Sequence, residues 1–551
     1  MPPRDLQWVV VDDWRAGIRA RVDPATISGT VARLPGVADS SGTYRCHALP
    51  NGSLAPLPRR TTTFTPSSIP ITIATITEGR LPIVGFWSNG PIQTGIEFHL
   101  AYEGTRDVAG TNRRWFYWQR IRNFDANQVD TIISNDPCTG SATASSMRPC
   151  WFHNYRCDAT TQTNPGLPRV VAGWFAGGGG AERVWHLFPN VTTPTSNTAQ
   201  AIEISALSGS HPRVDPSHAF AHQGRAVVLD QSSYSYGANS YVWTHNEDVY
   251  YTDANLDSGA ITLASTYGSE NASGYSAAVS TNYSELLLMK VAGGGLLLRG
   301  DVDDPTVLRI PGIPALGNAR HQPTTSPVGV VFIAGDTGAW LWNGGETAEN
   351  ISADAINGNE FNLAAGGTTT DFLDYIGRLW HWYDWVVFPN NWMWNWREQS
   401  WWRLENPSDV VLFHIGPEHA IETYLLAAPA YVTSASDPFI YYYDYQTPAT
   451  TFRYTSLPMP LGEKRDLKIR QMVLVASGNG TATVALRKLD GTTESHAFTV
   501  TSTSRPQYFR DNCSVDANEI QYQIDTTNSG TPVVIHELRL GYLEDSHLPV
   551  A

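Results

Sequence analysis

The sequence is poor in cysteine, lysine, charge and long apolar runs, and each shortage closes off a class of protein. Five cysteines spread over 551 residues, an odd number, do not make a disulfide framework. Lysine occurs only at Lys290, Lys464, Lys468 and Lys488, so nearly all cationic groups are arginines. That skew suits a GC-rich genome and carries no mechanism. No stretch reaches the ~18 apolar residues that a membrane span requires. The N-terminal residues, with Arg4, Asp5, Asp12, Asp13 and Arg15 around a short run of valines at 9–11, lack the basic-then-apolar layout of a secretion signal. The expectation is a soluble chain made in a cytoplasm. Charged residues are only 16% and the net charge is −15, which disfavours any activity that neutralises many phosphates at once.

Helical periodicity is nearly absent as well. Short apolar or alternating runs bounded by Gly, Asn, Asp and Pro recur instead, in a sequence whose aromatic content is 11%. The fold class predicted is all-β. The runs opening at Gly224, Glu285, Gly329 and Gly377 are each followed by a turn and a second strand, at Tyr241, Gly295, Ala339 and Asn391. Units of roughly 45–60 residues with several short antiparallel strands have the size of propeller blades. Five to seven blades are expected over residues 75–449, with a Cys-bearing insertion at 136–168. Residues 1–74, rich in Pro, Thr and Ser, read as an extended arm. Residues 450–551, with long alternating strands and Asn479-Gly480 and Asp490-Gly491 turns, read as a β-sandwich.

Candidate chemistry is thin. Trp380, Trp382, Trp385, Trp392, Trp394, Trp396, Trp401 and Trp402 form a dense cluster. Spacing of two would line up rings to stack on sugars or to pack one blade on the next, and blade core is the favoured reading. His211, Asp215, His218 and His222 contain an i, i+4 His pair, but Pro212 and Pro216 argue for solvated loop residues. For Cys138, Cys150, His153 and Cys157, a disulfide, a zinc site and inert thiols stay open, the last favoured. Asp301, Asp303 and Asp304 read as a turn, without the rest of a calcium loop.

Enzyme motifs are informative by absence: there is no Gly-x-Ser-x-Gly, no phosphate-loop Gly-Lys and no His-Glu-x-x-His. His414 to His419 has similar letters but carries Gly416 and Pro417. Asp336 to Trp340 resembles a shortened sialidase Asp-box, a blade turn in any case. The carboxylate pairs Asp374/Asp384 and Glu247/Asp248 have no roles without a known separation. No catalytic, cofactor-binding or metal-ligating residue is assigned, and the expectation is a protein that is not an enzyme.

The pattern as a whole resembles bacteriophage tail nozzle and tail-hub proteins. The resemblance rests on Trp14 to Ile18 and Leu49 to Pro58 in the arm, Gly329 to Asp354 and Gly377 to Leu404 in the propeller, and Lys468 to Val475, Ile520 to Asp525 and Val534 to Gly541 near the end. It departs from the family at 136–168. It implies a virion component made in the host cytoplasm: a homo-oligomeric ring of six below the head-to-tail connector, touching the adaptor and other tail proteins. DNA would pass its bore without specific binding, and there would be no cofactor and no membrane span. The negative charge would keep a bore free of sticky sites. Two alternatives differ in what the propeller touches. One is a minor tail or tip protein of a long-tailed phage contacting host glycan. The other is a sialidase-like propeller glycan hydrolase, for which Arg378, Arg397, Arg403, Asp374 and Glu398 are the residues that would have to converge.

Overall fold

In a computed structural model, the described residues are 6–20, 45–64, 275–352, 379–404 and 440–544 apart from short breaks, together with the backbone of the strands elsewhere between 36 and 432. Every named element among them is a strand. No helix among the described residues is long and apolar enough to cross a membrane.

Seven antiparallel arrays follow one another among the described residues, six of four strands and the first of five, in which Tyr431–Val432 adds to Leu81–Asn89. Their first strands are Leu81–Asn89, Trp151–Arg156, Pro216–His222, Tyr275–Ser280, Thr324–Ser326, Trp380–Trp382 and Val411–Gly416. Each first strand lies against that of the next array, and Val411–Gly416 lies against Leu81–Asn89. The ring therefore closes, with first strands innermost and the remaining strands running outward, which makes the all-β fold a β-propeller. We number its blades 1 to 7 in chain order.

Closure of the last blade is non-local. Blade 7 runs Val411–Gly416, Tyr424–Pro429, Ile440–Pro448, and its outermost strand is Pro58–Phe64 from the N-terminal part of the chain. One blade is thus built from both ends of the propeller sequence, and the ring cannot open without losing that strand's ladder. Part of the expected insertion at 136–168 needs correction: Trp151–Arg156 is the inner strand of blade 2 and pairs with Pro168–Ala176, so that segment is sheet. Cys138, Cys150 and Cys157 lie outside the described residues.

The C-terminal part is a β-sandwich. One sheet holds Leu467–Ser477, Gln507–Asp516 and Val534–Glu544, and the other holds Thr451–Thr455, Gly480–Lys488, Thr493–Val500 and Glu519–Asn528. Their inward residues alternate with exposed ones, as in Gly480–Lys488 and Thr493–Val500, so each sheet buries one face. The N-terminal arm does not lie free. Gln7–Val11 pairs antiparallel with Val534–Glu544, and the Cys46–Ala48/Leu54–Pro56 hairpin extends the same sheet.

Between sandwich and propeller the chain has one continuous core. Val11, Trp14 and Ile18 of the arm, Ile469, Leu474, Tyr522 and Leu538 of the sandwich, Val331 and Ile333 of blade 5, and Trp392, Trp394, Trp401 and Trp402 of blade 6 belong to the same buried cluster. A second cluster joins Trp380, Trp382, Trp385 and Met393 of blade 6 to Leu425 and Tyr443 of blade 7. A third joins Leu287, Met289 and Leu297 of blade 4 to Val330, Phe332 and Trp342 of blade 5. Large side chains at these contacts make the blades a packed disc, because close packing leaves no room for relative sliding.

Candidate functional site

The tryptophan cluster is structural. Trp382, Trp385, Trp392, Trp394, Trp401 and Trp402 are each 2% exposed or less, and Trp380 is buried too. Sheet alternation sends one set of rings toward blade 7 and the other toward the arm and sandwich, so none of these seven is free to meet a sugar. Trp396, half-buried, is overlaid by Arg397 and donates to the Tyr383 carbonyl.

The residues required to converge for a hydrolase do not do so where they are described. Arg403 is fully buried with its guanidinium 4.5 Å from the Trp392 ring centroid. Arg397 lies 4.7 Å over Trp396 and pairs with Asp384 at 2.6 Å, at the turn end of blade 6. Glu398 faces Arg15 of the arm at 3.9 Å. These groups fasten blade 6 and the arm. Asp374, Arg378, His211, Asp303, Asp336 and Glu247 lie outside the described residues. Asp301 and Asp304 form a turn, the Asp304 amide donating to the Asp301 carbonyl at 3.1 Å. His414 sits in a strand, where a helical zinc motif has no geometry.

A groove unmarked by any sequence motif opens on the rim between blades 4 and 5. Its cavity of about 470 Å³ is lined by the turn at Thr281–Glu285, Arg299 at the end of a blade 4 strand, the turn at Pro327–Gly329, and Trp342 to Gly344 of blade 5. The first turn is held by Thr281, whose carbonyl accepts from the Ser284 amide at 3.0 Å and whose amide donates to the Glu285 carbonyl at 2.8 Å. Ser284 takes a positive φ of 58° in that turn. The two blades are tied here: the Asn282 side-chain Nδ2 donates to the Ser326 carbonyl at 2.8 Å and the Thr325 hydroxyl to the Ser280 carbonyl at 2.6 Å. The floor needs a glycine. A Cβ at Gly329, whose φ is 141°, would stand 2.3 Å from the Trp342 carbonyl oxygen.

On this fixed frame stand three groups of use to a ligand. Tyr283 is 85% exposed, a flat ring with nothing packed over it that buries it. Arg299 pairs with Glu285 at 2.5 Å, the carboxylate mostly enclosed and the guanidinium about half exposed, so the fork keeps donors facing solvent. The chemistry available is ring stacking plus charge-assisted hydrogen bonding by a pre-oriented guanidinium.

No protein-family model matches the sequence, and no curated protein matches it. The chain is similar to solved structures of an exo-β-1,3-galactanase from Phanerochaete chrysosporium, with TM-score 0.27, 10% identity, 88% of this chain and 100% of that chain covered. It is likewise similar to an exo-inulinase from Aspergillus awamori, with TM-score 0.29, 10% identity, and 88% and 98% covered. A shorter match is to the enzymatically active domain of tailspike protein 4 of bacteriophage CBA120, with TM-score 0.15, 12% identity, and 24% and 18% covered. At such scores the likeness is one of strand layout and says nothing of chemistry.

The expectation that the chain is not an enzyme is corrected: it rested on absent motifs alone, and the solved structures just named are those of an exo-β-1,3-galactanase and an exo-inulinase. The physical reason is plain. Absent motifs exclude the chemistries that live in contiguous motifs, whereas a glycosidase carboxylate pair comes from separate strands and leaves no motif to miss.

Proposed function

We propose that the protein engages a glycan, with the groove between blades 4 and 5 as a binding subsite. The observation that carries this reading is the exposed Tyr283 ring beside the Arg299–Glu285 pair over a cavity of about 470 Å³. That volume suits a few sugar units. An aromatic face covers the apolar side of a sugar ring, and a guanidinium fixed by a carboxylate bonds neighbouring hydroxyls or a sugar carboxylate. Cleavage requires two carboxyl groups about 5–9.5 Å apart. The groove supplies Glu285 alone, so it holds substrate, and a hydrolytic pair would belong elsewhere on the propeller.

The test is a panel of neutral and acidic polysaccharides, reading binding by calorimetry and cleavage by release of reducing ends. At least one glycan should bind, and Tyr283→Ala and Arg299→Ala should each weaken it about tenfold with the melting temperature unchanged. Absence of binding across the panel, or binding indifferent to both substitutions, overturns the reading. Reducing-end release by the bound glycan assigns hydrolase activity.

A second reading, a building part of a phage tail, is favoured by a separate observation. Trp8 and Val10, 37% and 48% exposed, project from the arm strand that completes one sandwich sheet, and a neighbouring subunit would cover such side chains. On this reading the protein forms a ring of six that joins the adaptor and other tail proteins. Native mass measurement of the protein alone and after mixing with tail partners tests it. A strict monomer under both conditions counts against it.

A further inference from the structure

Thr493–Val500 and Gln507–Asp516 are edge strands of the two different sandwich sheets, and they face one another along one flank. Because side chains alternate along a strand, Glu494 and His496 share one face of the first, and Asp511 and Cys513 share one face of the second. These two faces meet. The Nδ1 of His496 lies 2.8 Å from Asp511 Oδ2, and its Nε2 lies 3.0 Å from Glu494 Oε1. His496 is 8% and Cys513 6% exposed, and the rings of Phe498 and Phe509 meet further along the same strands at 5.6 Å. The ligand atoms of Glu494, His496 and Cys513 all lie within 4.8 Å of one another. The Ser514 amide donates to both Glu494 oxygens at 3.1 Å, which fixes that carboxylate.

One thiolate sulfur, one imidazole nitrogen and one carboxylate oxygen are a donor set for a borderline-soft divalent ion. The arrangement around His496 points the same way. With Nδ1–H directed at Asp511, Nε2 and Glu494 Oε1 are two acceptors facing one another at 3.0 Å, a contact that requires a cation between them. A proton fills that need, and so does a metal ion.

We propose that Glu494, His496 and Cys513 bind a zinc-type divalent ion, with Asp511 orienting the imidazole from behind. Three protein ligands leave a fourth position for water, and Asp511 supplies the carboxylate partner that metal-bound histidines use to fix their tautomer. Burial, with Glu494 and Asp511 adding to it, pushes the Cys513 thiol up to about 12, and a bound dication acts in the opposite direction, favouring the thiolate. Binding forms metal–sulfur, metal–nitrogen and metal–oxygen bonds and releases to solvent the Cys513 thiol proton together with whatever proton the Nε2–Oε1 contact carries. No electron moves. The ion would clamp the two sheets along this edge. This site is on the sandwich and is independent of the glycan reading.

The experiment is a cobalt titration of the full chain. Cys138→Ser, Cys150→Ser and Cys157→Ser are introduced together first, so that these thiols contribute nothing. One equivalent should bind, with a thiolate-to-cobalt charge-transfer band and the intense visible bands of a four-coordinate ion, and zinc should displace it. Cys513→Ser should abolish the charge-transfer band. Asp511→Asn should weaken affinity about 10–100-fold, and Glu494→Gln should weaken it while leaving the fold intact. Zinc should raise the melting temperature of the parent but not of Cys513→Ser. If the triple-serine chain does not fold, the same loss is read between the parent and Cys513→Ser. A charge-transfer band that survives Cys513→Ser, or no cobalt binding by a folded chain that keeps Cys513, overturns the proposal.

Discussion

The indole Nε1 of Trp14 donates to the hydroxyl of Tyr522 at 3.0 Å, a buried bond between residues 508 positions apart. It joins the arm to the heart of the sandwich. Trp14 is fully buried, and burial also raises the Tyr522 hydroxyl well above its ordinary range, so it stays a neutral partner. Trp14→Ala should cost about 3–5 kcal/mol through lost packing, and Tyr522→Phe about 1 kcal/mol. A double-mutant cycle by urea unfolding should return a coupling near 1 kcal/mol. Additive costs would show that the bond contributes nothing.

Gly17 is the point where the arm passes blade 6. Its φ is 70°, and a Cβ there would stand 2.6 Å from the Trp401 carbonyl oxygen and 2.9 Å from Ser400 Cβ. Neither neighbour is the end of a flexible side chain. Gly17→Ala should therefore destabilise by about 2 kcal/mol or more, from left-handed strain and from the clash. Denaturant midpoints of the two chains measure it, and an unchanged midpoint would mean that the arm detaches without cost.

Acid should weaken the junction between arm and propeller. His47 lies edge-on to Trp385 with centroids 5.2 Å apart, and burial lowers its pKa to about 4, against a backbone hydrogen bond at Ala48 and the charge of Asp384, both of which favour the protonated ring. The unfolded chain takes up this proton near the ordinary value of 6.5 and the folded chain only near 4. Stability thus falls as pH drops from about 6.5 to 4, and the loss is complete below 4. Its size is at most about 3 kcal/mol, and less to the extent that water reaches the ring. Burial lowers His222, His381 and His536 in the same direction. His47→Gln should flatten part of the acid limb when unfolding midpoints are followed between pH 4 and 7, and an identical limb would assign the loss to the other histidines.

Much of the fold was legible where the physics is local. The runs at Glu285, Gly329 and Gly377 announced blades 4, 5 and 6 because alternation and turn residues act over a few positions, and Asp490-Gly491 announced the hairpin of Gly480–Lys488 with Thr493–Val500 for the same reason. Asn479-Gly480, with the same local signal, instead carries the chain from one sandwich sheet to the other. Pro58–Phe64 was not legible as the outer strand of blade 7, since its partner Ile440–Pro448 lies nearly the whole propeller away and no local pattern encodes a ring closure. The strand Trp151–Arg156 was hidden by its cysteine-flanked, polar surroundings. The groove escaped because Tyr283, Arg299 and Asn343 come from three separate segments that share no motif. Glu494/His496 and Asp511/Cys513 were visible only as two spaced pairs, and nothing in the sequence says that two edge strands of different sheets will bring them together.

Aromatic residues in this chain divide by burial, and that division separates stability from recognition. Trp401 is 2% exposed, packs 4.9 Å from the Phe388 ring, and donates to the Ile351 carbonyl at 2.6 Å. Tyr283 is 85% exposed at the groove. Trp401→Phe should lower the melting temperature by several degrees, since about 1–3 kcal/mol is lost with the indole and its hydrogen bond, while glycan affinity stays within twofold. Tyr283→Ala should do the reverse: an unchanged melting temperature and an affinity reduced about tenfold, because a solvated ring contributes little to folding and a stacked ring much to binding. Calorimetric binding and thermal unfolding on the same two variants read both quantities. If Trp401→Phe reduced affinity as strongly as Tyr283→Ala, the tryptophans of blade 6 would be part of a sugar platform after all, and the groove would lose its claim to be the place where the glycan sits.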